Sequence, residues 1–484
     1  MRATTTLVVL AMLAGTGGLA PVRAGDDATE KPLIEAGRKS LGRAVGWLVE
    51  SQERDGGWSA AAHGGHANYD AGVTGLAALA LARGTPAGAR GPLDRALDRL
   101  VAAQGGDGMI GGGAAGHQIY NHAIATLALA EGFAITKSER HAAALAKALD
   151  FSRRARNPYL GWRYGVRPQD NDTSVTGWMM ESYLSARAAG VANPDHDAAA
   201  AGVTAWLDKV TEPTFGKVGY TARGNGPARP AERMDAFPAD KAESLTAVGI
   251  AVRLGLGQAA TDPLVAKGLD LCGKLPPRWS ADGSIDMYYW YWGSRAMAGA
   301  GGDALAAWRR ALVEALAANQ IENGSWDPAG PWGADGGRVY STAISALALA
   351  AVLDAPWSPY LARLVLFPPK PLEGAALARV DAWLAGLESD AFDEREAASR
   401  ELTAAVGEDA STALHVRAAL AKATELETRR RLERCLTGTE WLVATLEQVR
   451  ANGLASDRAY LTSLLEVDDE EIRAAARARL EALD

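Results

Sequence analysis

The chain has 484 residues, a formal net charge of −8 and two cysteines. That length suits two or three domains around a large core, and an acidic balance with no basic cluster speaks against nucleic acid or anionic lipid as a partner. Cys272 and Cys435 fall in separate expected regions, which speaks against a disulfide framework and excludes metal sites built on cysteine pairs.

In chain order, the first element is a targeting segment. Met1-Arg2 gives a basic start, residues 7–20 are apolar and small, and Val22-Arg23-Ala24 offers a cleavage site. Residues 1–24 therefore predict a signal peptide cut after Ala24, and a mature chain that is periplasmic or secreted. No cysteine follows to carry a lipid. No later uninterrupted apolar run is expected to form a transmembrane anchor.

Residues 32–354 carry a pattern with a period of roughly 45–70 residues, in the range of repeat architectures. Each unit has an amphipathic helix, a Gly-rich turn and a helix apolar on nearly all faces. Residues 41–52 and 70–82 form the clearest pair. The alternation returns at 93–104 with 121–132, 141–154 with 173–188, and 198–210 with 241–254. It continues at 263–275 with 287–298 and 304–320 with 341–353. A helix apolar all round must be buried on all sides, whereas an amphipathic one keeps a wet face. The expected fold class is all-α: an (α/α)6 toroid with apolar helices inside and amphipathic helices outside.

The turns carry a more specific sign. Gln52-Glu-Arg-Asp-Gly-Gly-Trp58 and Gln320-Ile-Glu-Asn-Gly-Ser-Trp326 share a Gln–Trp pattern, and Gln104-Gly-Gly-Asp-Gly108 is a degraded copy. This resembles the repeat of the squalene cyclase and protein prenyltransferase superfamily. Asp172-Thr-Ser-Val-Thr-Gly-Trp178 and Tyr288-Tyr-Trp-Tyr-Trp-Gly293 add a similarity to bacterial squalene-cyclase-like repeat proteins, many of them from planctomycetes. The resemblance implies a toroid fold. It also implies that Gln52, Trp58, Gln320 and Trp326 are structural staples tying an outer helix to the following turn.

Residues 355–372 are proline-rich and read as a joint between regions. Trp357, Tyr360, Leu364, Leu366 and Phe367 within it predict packing on the toroid's outer wall rather than a free linker. Residues 373–484 shift to Ala, Leu, Glu and Arg. The segments 390–402 and 468–480 match one another, with 427–436 as a middle copy, which predicts a short HEAT-like helical solenoid. Solenoids usually present a binding surface, so this region is the expected site of any protein partner.

In a closed ring the starts of the inner helices gather at one end. That mouth is expected to collect His66, Tyr69, Asp70, His117, Tyr120, His122, Asp286, Tyr288, Tyr289, Trp292 and Tyr340. For the Asp, Asn, Ser and Thr residues that open the inner helices, capping is the plainer role. Asp170-Asn171-Asp172-Thr173 resembles the Asp-x-Asp-Asp motif of class II terpene cyclases, with Asp172 in the place of the general acid, Asp170 beside it, and Thr173 where a third acid would stand. Asp172 is expected to cap its helix at a wet mouth. The histidines lack a compact metal-ligand spacing, and no motif calls for a metal or a cofactor.

Three functions remain in order. The first is an exported binding or scaffold protein, with an apolar or glycan small molecule in the barrel. The second is a class II terpene cyclase using Asp172. The third is a glycan-processing enzyme, which needs two carboxylates and aromatic platforms; Asp70, Asp172, Asp286 and the 288–292 aromatic run are its candidates.

Overall fold

The computed structural model describes residues 27–84, 90–112, 116–229, 231–353, 365–436, 455–456, 458–466 and 470–483. The expected signal peptide, and Trp357, Tyr360 and Leu364 of the joint, lie outside these residues. Among the described residues the chain is helical, with only the isolated bridges Gln104–Ile110 and Thr211–Val218 in extended pairing.

The inner helices are α2 (Asp70–Gly84), α4 (Gln118–Thr136), α6 (Thr173–Ala188), α8 (Ser244–Gly255), α10 (Met287–Ala300) and α12 (Gly333–Leu353). Each packs on the next, and α12 packs back on α2, so the layer closes into a ring. The outer helices are α1 (Asp27–Glu50), α3 (Arg90–Ala102), α5 (Glu139–Ala155), α7 (His196–Val210), α9 (Pro263–Gly273) and α11 (Gly302–Ala317). The two layers differ as their sequences require. In α2 every residue from 72 to 81 is buried, whereas α3 buries Leu93, Ala96, Leu97 and Leu100, a single stripe at helical spacing. Small residues let the inner helices approach closely: a Cβ on Gly75 would sit 3.0 Å from Ile124 Cγ2 and 3.1 Å from the Ala125 nitrogen. The α12 segment is apolar but breaks at Gly337 (φ 66°), and most of it is buried within the ring.

The Gln–Trp turns join the layers, and they reach further than the sequence suggests. Trp58 Nε1 donates to the Leu48 carbonyl at 3.0 Å, and Trp326 Nε1 to Leu316 at 2.9 Å, each tying the turn to the outer helix just completed. The glutamines span to the next outer helix. Gln52 Nε2 donates to the carbonyls of Gly56 (2.9 Å) and Pro92 (2.8 Å), and Gln104 Nε2 does the same to Gly108 and Ala144. Gln320 Nε2 donates to Gly324 (2.7 Å) and Ser40 (2.8 Å), so this turn joins the last outer helix to the first. Gly324, at φ 93°, lies where a Cβ would come 2.3 Å from the Arg43 carbonyl, so a side chain there would break the closure.

A third tryptophan turn escapes the motif. Trp162 Nε1 donates to Ser152 O at 2.8 Å, and Trp162 N donates to Thr176 Oγ1 at 3.0 Å. The same backbone-to-inner-helix bond joins Trp58 N to Thr74 Oγ1 and Trp326 N to Thr342 Oγ1.

After the joint come α13 (Gly374–Gly386), α14 (Phe392–Glu408), α15 (Ala410–Leu420), α16 (Leu426–Cys435), α17 (Arg458–Ser463) and α18 (Glu470–Glu481). Val380, Leu402, Val416, Leu432 and Cys435 form a hydrophobic cluster separate from that of the ring. Buried Arg431 is held by Glu427 and Glu396, each at 2.7 Å. The expected packing of the joint on the ring's outer wall does not hold for its described apolar residues. Val365 and Leu366 pack with Leu461, Leu464 and Ile472 of the C-terminal helices, and Phe367 is exposed.

Candidate functional site

The segment between α5 and α6 places Asp172. Arg156 stands where other turns carry Gln, and the amide of the next residue, Asn157, donates to the Asp170 carbonyl at 2.6 Å and to Asn171 Oδ1 at 3.1 Å. Asn171 Oδ1 accepts from Gly161 N, and Asp172 N donates to Trp162 O. The strand of backbone before α6 is thus fixed on both sides. Asp172 Oδ1 then accepts from Val175 N at 2.7 Å, an N-cap bond that satisfies one of the helix's free donors. The other oxygen, Oδ2, is buried and has no hydrogen-bond partner.

Capping is as expected, but the wet mouth is not: the Asp172 side chain has no exposed surface. Its cover comes from far along the chain. Thr173 Oγ1 donates to Gly219 O at 2.6 Å and Thr173 N to Tyr220 O at 3.0 Å, which lays the 211–243 segment over the start of α6. Farther along it, Arg229 Nη2 meets Asp286 Oδ2 at 2.5 Å with both side chains buried, and Arg233 forks onto both Asp335 oxygens at 2.6 and 2.9 Å. This segment therefore runs along the rim from α6 to α12.

Four tyrosines ring Asp172. Tyr164 and Tyr220 are paired through their hydroxyls, Tyr120 packs on Tyr164 with ring centroids 6.0 Å apart, and Tyr288 OH bonds Ser174 Oγ at 2.6 Å. Arg163 lies over this group. Its Nη1 is ion-paired with Asp170, and its Nε is 3.9 Å from Asp172 Oδ2. Burial pushes the Asp172 carboxyl up to about 7, against the Val175 N–H and Arg163, which favour its charged form. Burial, with Asp172 nearby, likewise raises the phenols of Tyr120, Tyr164, Tyr220 and Tyr288.

Below the rim, side chains bridge part of the ring's interior. Three layers join α6 to α10, which are not neighbours in the ring. Ser174 bonds Tyr288, Trp178 stacks on Tyr291 with centroids 5.3 Å apart and planes 9° apart, and Glu181 meets Arg295 at 2.5 Å. The spacing 174, 178, 181 against 288, 291, 295 follows one face of each helix. Arg83 and Glu131, paired at 2.5 Å, lie beside the last layer, and Glu131 also accepts from Ser185.

The remaining expected mouth residues divide. Tyr69 OH bonds His117 Nδ1 at 3.1 Å, with the phenol raised to about 12, chiefly by burial. His66 is exposed on the rim, and its backbone N–H donates to Asp335 O. Tyr340 OH is buried with no hydrogen-bond partner. Trp292 packs edge-on to Trp178 and Tyr288 in the ring's interior. Asp286 caps α10 through Tyr289 N and is held by Arg229 and Ser244.

Three residues face elsewhere. His122 is buried between the layers: Nδ1 accepts from Ile110 N at 3.1 Å, Nε2 bonds Ser152, and burial lowers its pKa to about 3. It does for Ile110 what Thr74 does for Trp58. Tyr289 points outward, donating to Cys272 O and packing edge-on to Trp308 of α11. Asp70 accepts from Ala60 N at 2.8 Å and lines an outer crevice with Glu53, Asp55 and Arg99. Arg163, Tyr164, Tyr220, Arg229 and Arg233 lie in irregular segments, and no motif or periodicity in the sequence singles them out.

No protein-family profile matches the chain, and no curated protein matches it. Solved structures do. The type II terpene cyclase MstE from Scytonema in complex with merosterolic acid A aligns at 16% identity and a TM-score of 0.45, covering 67% of this chain and 99% of that one. Another MstE structure, in complex with geranylgeranyl dihydroxybenzoate, aligns at 17% identity with the same TM-score and coverage. A protein from Actinoplanes aligns at 16% identity and a TM-score of 0.43, covering 65% of this chain and 98% of that one. The helical fold itself is shown by the chain's own closed ring of packed helices.

Proposed function

We propose that this protein is an exported binding protein that takes a small molecule at the rim of its inner ring, in the aromatic niche around Asp172, and does not transform it. The observation carrying this reading is Asp172 Oδ2, a fully buried carboxyl oxygen with no hydrogen-bond partner, among four tyrosines. Leaving such an atom unbonded costs about 1–3 kcal/mol, which a ligand that meets it returns. The C-terminal helices, read as HEAT-like, are the proposed surface for a protein partner.

Two features favour binding over cyclisation. Side chains from Ser174–Tyr288 down to Glu181–Arg295 bridge α6 and α10 inside the ring, which leaves less room there for a long prenyl chain. A carboxyl pushed up to about 7 by burial is also a weak acid, poorly matched to protonating an alkene. The glycan-processing reading needs two converging carboxylates, yet Asp70 turns to the outer crevice and Asp286 is locked by Arg229.

Calorimetric titration with alkylammonium salts, sugars and short prenyl alcohols tests the proposal. One saturable site is expected for at least one class, lost in Tyr220→Ala while the helical spectrum is retained. Binding by none of them, or binding untouched by Tyr220→Ala, would refute it.

A further inference from the structure

The niche already holds a cation of the protein's own. The guanidinium carbon of Arg163 is 5.2 Å from the ring centroid of Tyr164 and 5.9 Å from that of Tyr220. Both distances lie inside the reach of about 6 Å over which a cation is attracted by an aromatic face. Arg163 does not close on the carboxylate beneath it. Its Nε is 3.9 Å from Asp172 Oδ2, beyond hydrogen-bond distance, and both atoms are buried and unbonded. The arginine is drawn instead toward the surface by Asp170.

The polar groups of the niche narrow what else could enter. The hydroxyls of Tyr164 and Tyr220 bond one another, and that of Tyr288 bonds Ser174. The first oxygen of Asp172 is committed to Val175 N. Once Arg163 is displaced, what is left is ring faces and one carboxyl oxygen. A sugar or polyol needs several donors and acceptors. A compact cation with an apolar shell and one N–H needs an aromatic surround and a single acceptor.

We propose that this niche recognises an alkylammonium ion bearing at least one N–H, which takes the place of Arg163 against Tyr164 and Tyr220 and donates to Asp172 Oδ2. The inference rests on the rim-binding reading and gives that site its ligand class. Binding requires Asp172 ionised. The groups facing it are Asp170, Arg163 and Tyr164 from its own segment, Tyr120 from α4, Tyr220 from the rim segment and Tyr288 from α10. The four phenols are raised and keep their protons through the neutral range, and Arg163 stays charged. Asp172, raised to about 7, is therefore the group expected to set the pH response. Affinity should be level above about pH 8 and fall about tenfold per pH unit below 7.

The experiment is calorimetric titration of the full chain with trimethylammonium chloride from pH 5 to 9 at fixed ionic strength. Tetramethylammonium, which lacks the N–H, and tert-butanol, which lacks the charge, serve as comparisons. Trimethylammonium is expected to bind best, with the stated pH profile. Arg163→Ala should tighten it several-fold at pH 9, Asp172→Asn should abolish it, and Tyr164→Phe, which keeps the ring face, should leave it within a few-fold. Affinity that is independent of pH, or that rises as pH falls, overturns the inference. If a sugar or prenyl alcohol binds the rim and trimethylammonium does not, the ligand class is wrong and the rim reading stands. If none binds, both fail.

Discussion

Asp172→Asn is expected to raise the thermal midpoint at pH 8.5 while changing it little at pH 4. The folded carboxyl is pushed up to about 7, whereas an unfolded aspartate titrates near 4. The folded state therefore binds the proton more tightly. The stability this confers is complete below about pH 4 and is lost as pH rises through 7, amounting to about 4 kcal/mol at about 1.4 kcal/mol per pH unit. Asparagine cannot ionise, so it keeps that stability at high pH, and its side-chain oxygen can still accept from Val175 N. Comparing variant with wild type at each pH cancels the other titrating groups. A midpoint difference that stays the same from pH 4 to 8.5 would mean that Asp172 is not buried as described.

Trp326→Ala is expected to lower stability by about 3–5 kcal/mol in denaturant titration. The indole is fully buried, and its loss leaves a cavity and removes the bond that ties the turn to the Leu316 carbonyl. The position tests closure as well as packing, because the same turn carries Gln320 to Ser40 and sets Gly324 against Arg43. Trp58→Ala should cost a similar amount, since the Trp58 indole is also buried and makes the same bond to Leu48. An unchanged midpoint in both variants would remove the stapling role.

The ring was legible in the sequence because its two layers solve different solvation problems. A helix buried throughout, such as α2, and a helix with one buried stripe, such as α3, cannot be confused over several turns. The staples were legible where the side chains were kept as Gln and Trp, and hidden where only the role was kept. His122 shows this. It replaces a threonine as the acceptor for a turn N–H, but a histidine near the start of an apolar helix reads as a mouth residue. Tyr289 was misplaced for a different reason. Tyr288, Tyr291 and Trp292 share the axial face of α10, and a neighbour about 100° round the helix points to the outer layer instead.

The capping role of Asp172 could be read from its place before an apolar helix, but its burial could not. That burial depends on the 211–243 segment, which returns from the next hairpin with Tyr220 over Thr173. The pairing of Arg163 with the Tyr164 and Tyr220 faces depends on the same return. Irregular backbone carries no periodicity from which to place it.

The most direct test of a rim that binds without transforming is product analysis. The full chain would be incubated with squalene and, separately, with geranylgeranyl diphosphate across pH 5 to 8, and the organic extracts examined by mass spectrometry. The expected result is unchanged starting material from both wild type and Asp172→Asn. A cyclised product made by the wild type and absent from Asp172→Asn would contradict it and make Asp172 a catalytic acid.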